Sequence, residues 1–146
     1  MVEINTLDNK LVVFAEPNGT WREFIERAHN KYLSNIKSNF LEDGDNLVRY
    51  LDSLTIPKYQ DGREFPSAVV MNHLYPGSEI TWGTSLIHHY AKQLDNVSFV
   101  MFYSEVEEVR KYFMGETALK NGAVAYFLKN DGVELLFNFL KEICGE

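Results

Sequence analysis

Five short segments, four largely apolar and one weakly alternating, constrain the fold more than any other feature of the sequence. They are residues 11–14 (LVVF), 36–41 (IKSNFL), 68–71 (AVVM), 97–103 (VSFVMFY) and 123–128 (AVAYFL). Strands that are apolar along their length are covered on both faces, and repeated strand–helix units place such strands in one parallel sheet between two layers of helices. We therefore predict an α/β fold, a three-layer sandwich with a doubly wound, five-stranded parallel sheet.

The segments that follow these strands predict helices at residues 20–33, 46–54, 84–94, 104–114 and 131–143. The first helix has one predicted buried stripe at the i, i+3, i+4 spacing, which consists of Trp21, Phe24, Ile25, Ala28 and Tyr32. Capping boxes are predicted at Thr20, Ser104 and Asp131, because a glutamate follows each of them three residues later. Residues 55–66 predict a polar loop with prolines towards both ends.

Length and composition predict one globular domain, residues 1–146. A net charge of −7 disfavours nucleic acid, because nucleic acid binding depends on basic residues. No apolar run approaches the roughly eighteen residues that span a bilayer, and residues 1–10 do not resemble a signal peptide. Cys144 is the only cysteine. We therefore expect a cytoplasmic protein that binds neither nucleic acid nor membranes.

The carboxyl ends of the predicted strands indicate where a functional site would lie, because ligands of such sheets bind at that edge. The residues that follow the strands there are Ala15 and Glu16, Asn72 and His73, Tyr103 and Ser104, and Lys129 and Asn130. This edge carries a mixture of charged and amide side chains after strands that are otherwise apolar. The sequence thus predicts one candidate site built from four strands.

Three segments around these strand ends resemble the receiver domain of two-component response regulators. Residues 42–47 (EDGDNL) resemble the acidic segment before the second helix of that family, and residues 67–77 (SAVVMNHLYPG) resemble its phosphoacceptor strand and turn. Residues 118–129 (ALKNGAVAYFLK) resemble its fifth strand. The long loop before the third strand is similar to that of the single-domain regulators that accompany cyanobacterial phytochromes. The resemblance implies a flavodoxin-like (CheY-like) fold and a role in signal transduction.

The resemblance also implies which residues the site should contain. This chain departs from that set at a metal-binding position and at the phosphoacceptor position. In receivers, an acidic pair after the first strand binds Mg²⁺, and an aspartate that ends the third strand accepts the phosphoryl group. Glu16 matches one acid of the pair, but Ala15 stands in place of the other. Asn72 occupies the phosphoacceptor position, and its amide cannot form an acyl phosphate. We therefore expect no cofactor, with Glu16 as a weak metal candidate at which Mg²⁺ would not bind tightly.

The remaining family positions are a hydroxyl residue after the fourth strand, an aromatic switch residue and a lysine followed by proline. Lys129 matches the lysine and Tyr126 matches the aromatic switch position. The hydroxyl position falls on Tyr103, or on Ser104 if the register differs by one residue. Asn130 replaces the proline, so the peptide bond there is expected to be trans. Together these departures predict a degenerate pseudo-receiver in which Glu16 and Lys129 pair with each other.

The predicted function is protein–protein binding without phosphorylation, by a stand-alone response regulator that is not an enzyme. The expected partner is a histidine kinase, a photoreceptor or an effector, or a second copy that forms a homodimer. The expected interface is the face formed by the fourth helix, fifth strand and fifth helix of receivers. Phe137 and Phe139 widen the apolar arc of the last helix beyond its core stripe, which makes them interface candidates.

Other functions remain open from the sequence. A genuine phosphotransfer receiver, or a small enzyme with a misaligned residue, would need another acceptor, and a small molecule would need a pocket at the strand ends. A hydrolase built from Glu16, His73 and Ser104 lacks a nucleophile elbow. The adjacent pair His88 and His89 falls inside a predicted helix, where the two rings diverge and cannot share a metal.

Overall fold

A computed structural model describes residues 10–56, 64–75, 81–105 and 113–145. Its main sheet consists of the parallel strands β1 (Leu11–Ala15), β2 (Lys37–Leu41), β3 (Ala68–Met71), β6 (Ser98–Tyr103) and β7 (Ala125–Leu128), in the order β2-β1-β3-β6-β7. The predicted five-stranded parallel sheet is confirmed. Strands β4 (Leu74–Tyr75) and β5 (Thr81–Trp82) form a separate antiparallel pair that the sequence analysis did not predict.

Helices cover both faces of this sheet. Within the described ranges they are α1 (Gly19–Tyr32), α2 (Gly44–Thr55), α3 (Gly83–Tyr90), α4 (Met114–Asn121) and α5 (Glu134–Ile143). Apolar residues of α1 and α5 pack on one face, and those of α2, α3 and α4 pack on the other. Successive residues of β1 point to opposite sides, so that Val13 contributes to one core and Phe14 to the other. No helix in the described ranges is both long and apolar enough to cross a membrane.

The helix ends differ from the predicted capping boxes. At α1 the cap is Asn18, whose side-chain oxygen accepts a hydrogen bond from the Trp21 N–H at 2.9 Å, so Thr20 lies inside the helix. The residue before α5 is Val133, which provides no side-chain cap, and Asp131 belongs to the short 3₁₀ turn Lys129–Asp131. Phe24 is 50% exposed, so it lies outside the buried stripe to which the periodicity assigned it.

Two further helix predictions were wrong at their ends. The predicted helix at residues 104–114 lies largely outside the described residues, but Met114 begins α4 instead of ending a helix. The residue before it, Phe113, has φ 50° and ψ 52°, in the left-handed region, which breaks the helical path there. Helix α3 ends at Tyr90 and continues as turns, in which Leu94 is still buried in the core. Of the predicted loop at residues 55–66, residues 57–63 lie outside the described part.

The antiparallel pair β4–β5 lies against the end of β3 and fixes the backbone there. Leu74 pairs with Trp82, and the Gly83 N–H donates to the His73 carbonyl oxygen at 2.8 Å. A Cβ at Gly83 would collide with the carbonyl oxygen of Asn72, so only glycine allows this close approach. The pair thereby positions the two residues that follow β3.

Candidate functional site

The strand register brings the predicted site residues to one edge of the sheet. Ala15 of β1 pairs with Met71 of β3, and Met71 pairs with Met101 of β6. Glu16 and Asn72 each follow directly after their strands, and Lys129 follows β7. The edge is therefore the place where carboxylate, amide and ammonium groups meet.

Glu16 and Lys129 form a buried ion pair. The Lys129 Nζ lies 2.6 Å from Glu16 Oε1, and both side chains are only 4% exposed. The same ammonium lies 5.1 Å from the centroid of the Trp21 ring and 5.8 Å from that of Phe102. The second carboxylate oxygen of Glu16 accepts a hydrogen bond from the Asn18 N–H at 3.1 Å. Each charge of the pair is thus satisfied by groups of the protein itself.

The donor set does not fit the magnesium ion that receiver chemistry uses. Ala15 offers no side-chain ligand, and the carboxylate of Glu16 is held by Lys129. Within the described ranges, no group of three or more histidine, cysteine, aspartate or glutamate residues could hold a metal ion. Magnesium requires carboxylate oxygens in near-octahedral geometry, which a committed glutamate and a neutral Asn72 amide do not supply.

The side chain of Tyr75 lies between the ends of β1 and β3 and bonds to both. Its side chain is fully buried, and its hydroxyl donates to the Ala15 carbonyl oxygen at 2.8 Å and accepts from the Asn72 N–H. Burial raises the pKa of Tyr75 well above its usual value, and the carboxylate of Glu16 acts in the same direction. The neutral phenol therefore bridges the ends of β1 and β3. Sequence analysis missed Tyr75 because its contact with Ala15 joins residues that are 60 positions apart.

His73 and the Asn72 side chain have buried polar atoms that remain without a partner in the described part of the chain. These atoms are Asn72 Oδ1 and His73 Nδ1. The His73 ring lies 6.4 Å from that of Trp82 and 6.1 Å from that of Tyr103, between centroids. Burial, and next the ammonium of Lys129, lower the pKa of His73 below its usual 6.5, which favours the neutral ring.

Tyr103 directs its hydroxyl to α4. The side chain is 1% exposed, and its oxygen accepts a hydrogen bond from the Gly115 N–H at 3.1 Å. Burial raises the pKa of Tyr103 to about 12. The Tyr126 ring lies 6.4 Å from that of Tyr103 and packs so closely on α4 that a Cβ at Gly115 would collide with it. Two aromatic residues thus tie the end of the sheet to α4, while Ser104 is partly exposed.

Asn130 joins the end of β6 to the residues that follow β7. Its side-chain oxygen accepts from the Glu105 N–H at 2.9 Å, and its side-chain amide donates to the Glu105 carbonyl oxygen at 3.2 Å. The Lys129–Asn130 peptide bond is trans, as the sequence predicts. The paired hydrogen bonds were not predicted, because they depend on a contact between residues that are 25 positions apart.

The interior space beside Glu16 is too small for a ligand. The cavity between Glu16, Met71 and Phe102 has no room even for a water molecule. The ends of β1 and β3 are therefore packed beside Glu16, and the two larger grooves open beside α1.

Phe137 is wrong as an interface candidate. Its side chain is fully buried, and its ring stacks on that of Phe14 at 5.9 Å and lies 5.9 Å from that of Tyr32. It faces the sheet and α1, because its position on α5 belongs to the core stripe. Phe139 is partly buried and packs against Phe127 of β7 at 5.6 Å.

The exposed apolar side chains near this helix are different ones. Leu119 of α4, Val124 before β7 and Leu135 of α5 are 43%, 51% and 54% exposed. Leu135 lies one helical turn before Phe139 and so shares its side of α5. We refer to the surface of these three elements, with Leu119, Val124 and Leu135, as the α4–β7–α5 face.

Comparison with solved structures identifies the class of fold. A response regulator receiver domain protein (CheY-like) from Methanospirillum hungatei JF-1 superposes with a TM-score of 0.69 over 93% of this chain and 94% of that one, at 13% identity. The phosphorylated cyanobacterial phytochrome response regulator RcpA gives 0.66 over 92% and 90%, at 16% identity. A LuxR-family DNA-binding response regulator from Staphylococcus aureus gives 0.64 over 92% and 98%, at 19% identity.

The chain therefore has the CheY-like fold of response regulator receiver domains. At these identities the likeness establishes the fold alone. No protein-family model matches the sequence, and no curated protein matches it by sequence.

Proposed function

We propose that this protein is a response regulator of the receiver class that signals by binding another protein, in the cytoplasm, without a phosphorylation cycle or catalytic activity of its own. The observation that carries the proposal is the closed edge of the sheet. Asn72 stands where the nucleophile of the fold would be, its N–H is held by Tyr75, and Lys129 is paired with Glu16.

Phosphoryl transfer to a receiver would require three things that this edge lacks. It needs a carboxylate nucleophile, a metal ion that neutralises the incoming phosphate, and a free cation to pair with the product. Asn72 is a neutral amide, Ala15 is not a ligand, and the ammonium of Lys129 already lies 2.6 Å from a carboxylate. All three requirements are unmet, so an Asn72→Asp substitution would restore the nucleophile but neither the metal ion nor the free cation.

Two contacts between the sheet and α4 favour one fixed conformation of the protein. The Tyr103 hydroxyl is bonded to the Gly115 N–H, and the Tyr126 ring packs on Gly115. These contacts hold α4 against the sheet without a phosphoryl group. The α4–β7–α5 face is then presented permanently, as a constitutive binding surface.

The exposed leucines and valine of the α4–β7–α5 face support its use as an interface. Exposed apolar groups on neighbouring elements are typical of protein-binding surfaces. We propose a histidine kinase, a photoreceptor or an effector as the partner, with a second copy of this chain as the alternative occupant. The net charge of −7 argues against DNA in this role.

Intact-mass measurement after incubation with acetyl phosphate and Mg²⁺ tests the proposal. We expect no added phosphoryl group on the wild-type chain. We expect none on the Asn72→Asp variant either, because Lys129 and Glu16 remain paired and Ala15 is unchanged. An alkali-labile adduct on the wild type would overturn the proposal in favour of a genuine phosphotransfer receiver. An adduct on Asn72→Asp alone would show that the rest of the site is intact.

Binding assays with purified candidate partners test the interface. Leu135→Asp and Leu119→Asp should each abolish binding, because a carboxylate would have to be buried in the complex. Ile56→Asp is the matched control, since Ile56 is 36% exposed at the end of α2, away from this face. Binding that survives both face substitutions would contradict this choice of surface.

A second candidate function is supported by one observation, the two buried polar atoms Asn72 Oδ1 and His73 Nδ1 that have no partner in the described residues. Buried polar atoms are nearly always hydrogen-bonded, so a small molecule that donates to Asn72 Oδ1 and forms a hydrogen bond with His73 Nδ1 would satisfy them. A thermal-shift screen of such molecules tests this alternative. A stabilising compound that fails to stabilise His73→Phe would support it, and a screen without stabilising compounds would leave protein binding as the function.

A further inference from the structure

A groove between α1 and the start of α5 is a surface feature that the proposed function does not use. Its volume is about 510 Å³. The residues that define it here, and to which the name α1–α5 groove refers, are Phe24, Arg27, Lys31, Asp131, Val133 and Glu134. Phe24 is 50% exposed at its side, whereas Val133 is 7% exposed at its floor. The groove thus offers an apolar surface to a binding partner.

The two walls of the groove carry opposite charges. Arg27 and Lys31 lie one turn apart on α1, and Asp131 and Glu134 lie on the opposite wall. All four side chains are exposed, and none of them forms an ion pair with any residue in the described ranges. Because the charges do not neutralise each other across the groove, both walls are available to a partner with the reverse arrangement.

We propose that the α1–α5 groove is a homodimer interface in which the basic wall of each copy contacts the acidic wall of the other. A two-fold axis that runs along the groove exchanges its two walls, so a second copy presents that reverse arrangement. The exposed Phe24 ring of each copy is then covered near the centre. Self-complementary charge is the argument for a second copy over an unrelated partner, which would have to match both walls independently.

This inference goes beyond the proposed function, because it uses a different side of α5. Glu134 lines the groove, whereas Leu135 belongs to the α4–β7–α5 face. A dimer formed through the groove leaves that face open on both copies. The assembly would therefore be bivalent, with two identical partner sites.

Sedimentation equilibrium of the full chain over a concentration series tests the proposal. The wild type should be a dimer. Arg27→Glu/Lys31→Glu makes all facing walls acidic, and Asp131→Lys/Glu134→Lys makes all of them basic. Each double variant should weaken the dimer by about 100-fold or more, because like charges face each other at both contacts.

Mixing the two double variants is the decisive measurement. The acidic walls of the first then face the basic walls of the second at both contacts, so a heterodimer should form although neither variant dimerises alone. The control Arg49→Glu/Lys92→Glu changes the net charge as much as the first double variant, at exposed positions outside the groove. It should dimerise like the wild type.

Three outcomes would overturn the proposal. A wild type that stays monomeric shows that the groove does not hold a second copy. A dimer that survives both double variants, but is lost in Leu135→Asp, lies on the α4–β7–α5 face. A mixture that stays monomeric shows that the charges act through the total charge of the chain and not through facing walls. Circular dichroism of each variant checks that it is folded.

Discussion

The closed edge of the sheet and the α4–β7–α5 face are opposite in character. At the edge, Glu16 and Lys129 are each 4% exposed and satisfy one another, and Tyr75 bridges the ends of two strands. On the face, Leu119, Val124 and Leu135 are about half exposed. The charged groups of the edge have partners inside the protein, whereas the apolar side chains of the face are left uncovered.

This difference separates two properties that a phosphorylated receiver couples. An edge whose two charged groups are paired with each other has little to offer an incoming phosphate. A face with uncovered apolar groups gains free energy when another surface covers it. The contrast therefore supports a module whose binding surface no longer depends on chemistry at the strand ends.

The largest expected effect comes from breaking the buried ion pair. Lys129→Met or Glu16→Leu leaves one charge unpaired in the interior, and each should lower the free energy of unfolding by about 3–5 kcal/mol. The double variant should lose less than either single variant, because it removes both charges. Urea unfolding followed by fluorescence measures all three. Single losses of less than about 1 kcal/mol would show that water reaches the pair.

Removal of the bridging hydroxyl should have the next largest effect. Tyr75→Phe leaves the Ala15 carbonyl oxygen and the Asn72 N–H buried without their partner, which should lower the free energy of unfolding by about 1–3 kcal/mol. Tyr126→Phe is the matched control, since no hydrogen bond of its hydroxyl joins it to the described residues. The control should stay within about 0.5 kcal/mol of wild type. Equal losses in the two variants would argue against the bridge.

The hydrogen bond between Tyr103 and α4 should contribute less to the free energy of unfolding than the Tyr75 bridge does. Tyr103→Phe removes the hydrogen bond to the Gly115 N–H and should lower the free energy of unfolding by about 1 kcal/mol. Because the pKa of Tyr103 is raised to about 12, the folded state keeps a proton that the unfolded chain loses from pH 10 upward. The stability that depends on the protonated Tyr103 hydroxyl is therefore fully present below pH 10, and it is lost as the pH rises towards 12.

Comparison of the wild type with Tyr103→Phe across that alkaline range isolates this titration. The variant should lose less stability with rising pH than the wild type does. Hydrogen exchange of the amides of α4 gives a second measurement, and it should become faster in the variant. Unchanged exchange would mean that the Tyr126 ring alone holds the helix.

The smallest effect on stability is expected on the exposed face. Leu135→Ala should change the free energy of unfolding by less than about 0.5 kcal/mol, although partner binding is weakened. The adjacent Leu136 is fully buried, so Leu136→Ala should lower it by about 2–5 kcal/mol. Thermal or urea unfolding of the two variants tests this contrast. A large loss in Leu135→Ala would show that this leucine belongs to the core.

The sheet could be predicted from the sequence because burial on both faces leaves a local signal. The wholly apolar segment at residues 68–71 became β3 with the predicted bounds. The edge was less predictable, because its contacts join distant residues. Tyr75 meets Ala15 across 60 positions, and no local pattern encodes that contact. Helical periodicity placed Phe137 in an apolar arc but did not reveal that α1 covers it.

Tyr75 also bears on how readily such an edge changes over evolutionary time. Restoring an aspartate at position 72 alone would bring a second carboxylate close to Glu16, whose cation is already shared with two aromatic rings. The phenol would still bridge the ends of β1 and β3, and removing it first would leave buried groups without partners. Each step back towards phosphotransfer thus lowers stability before it restores any chemistry. An evolutionary change at this edge would therefore have to replace Asn72 and Tyr75 together.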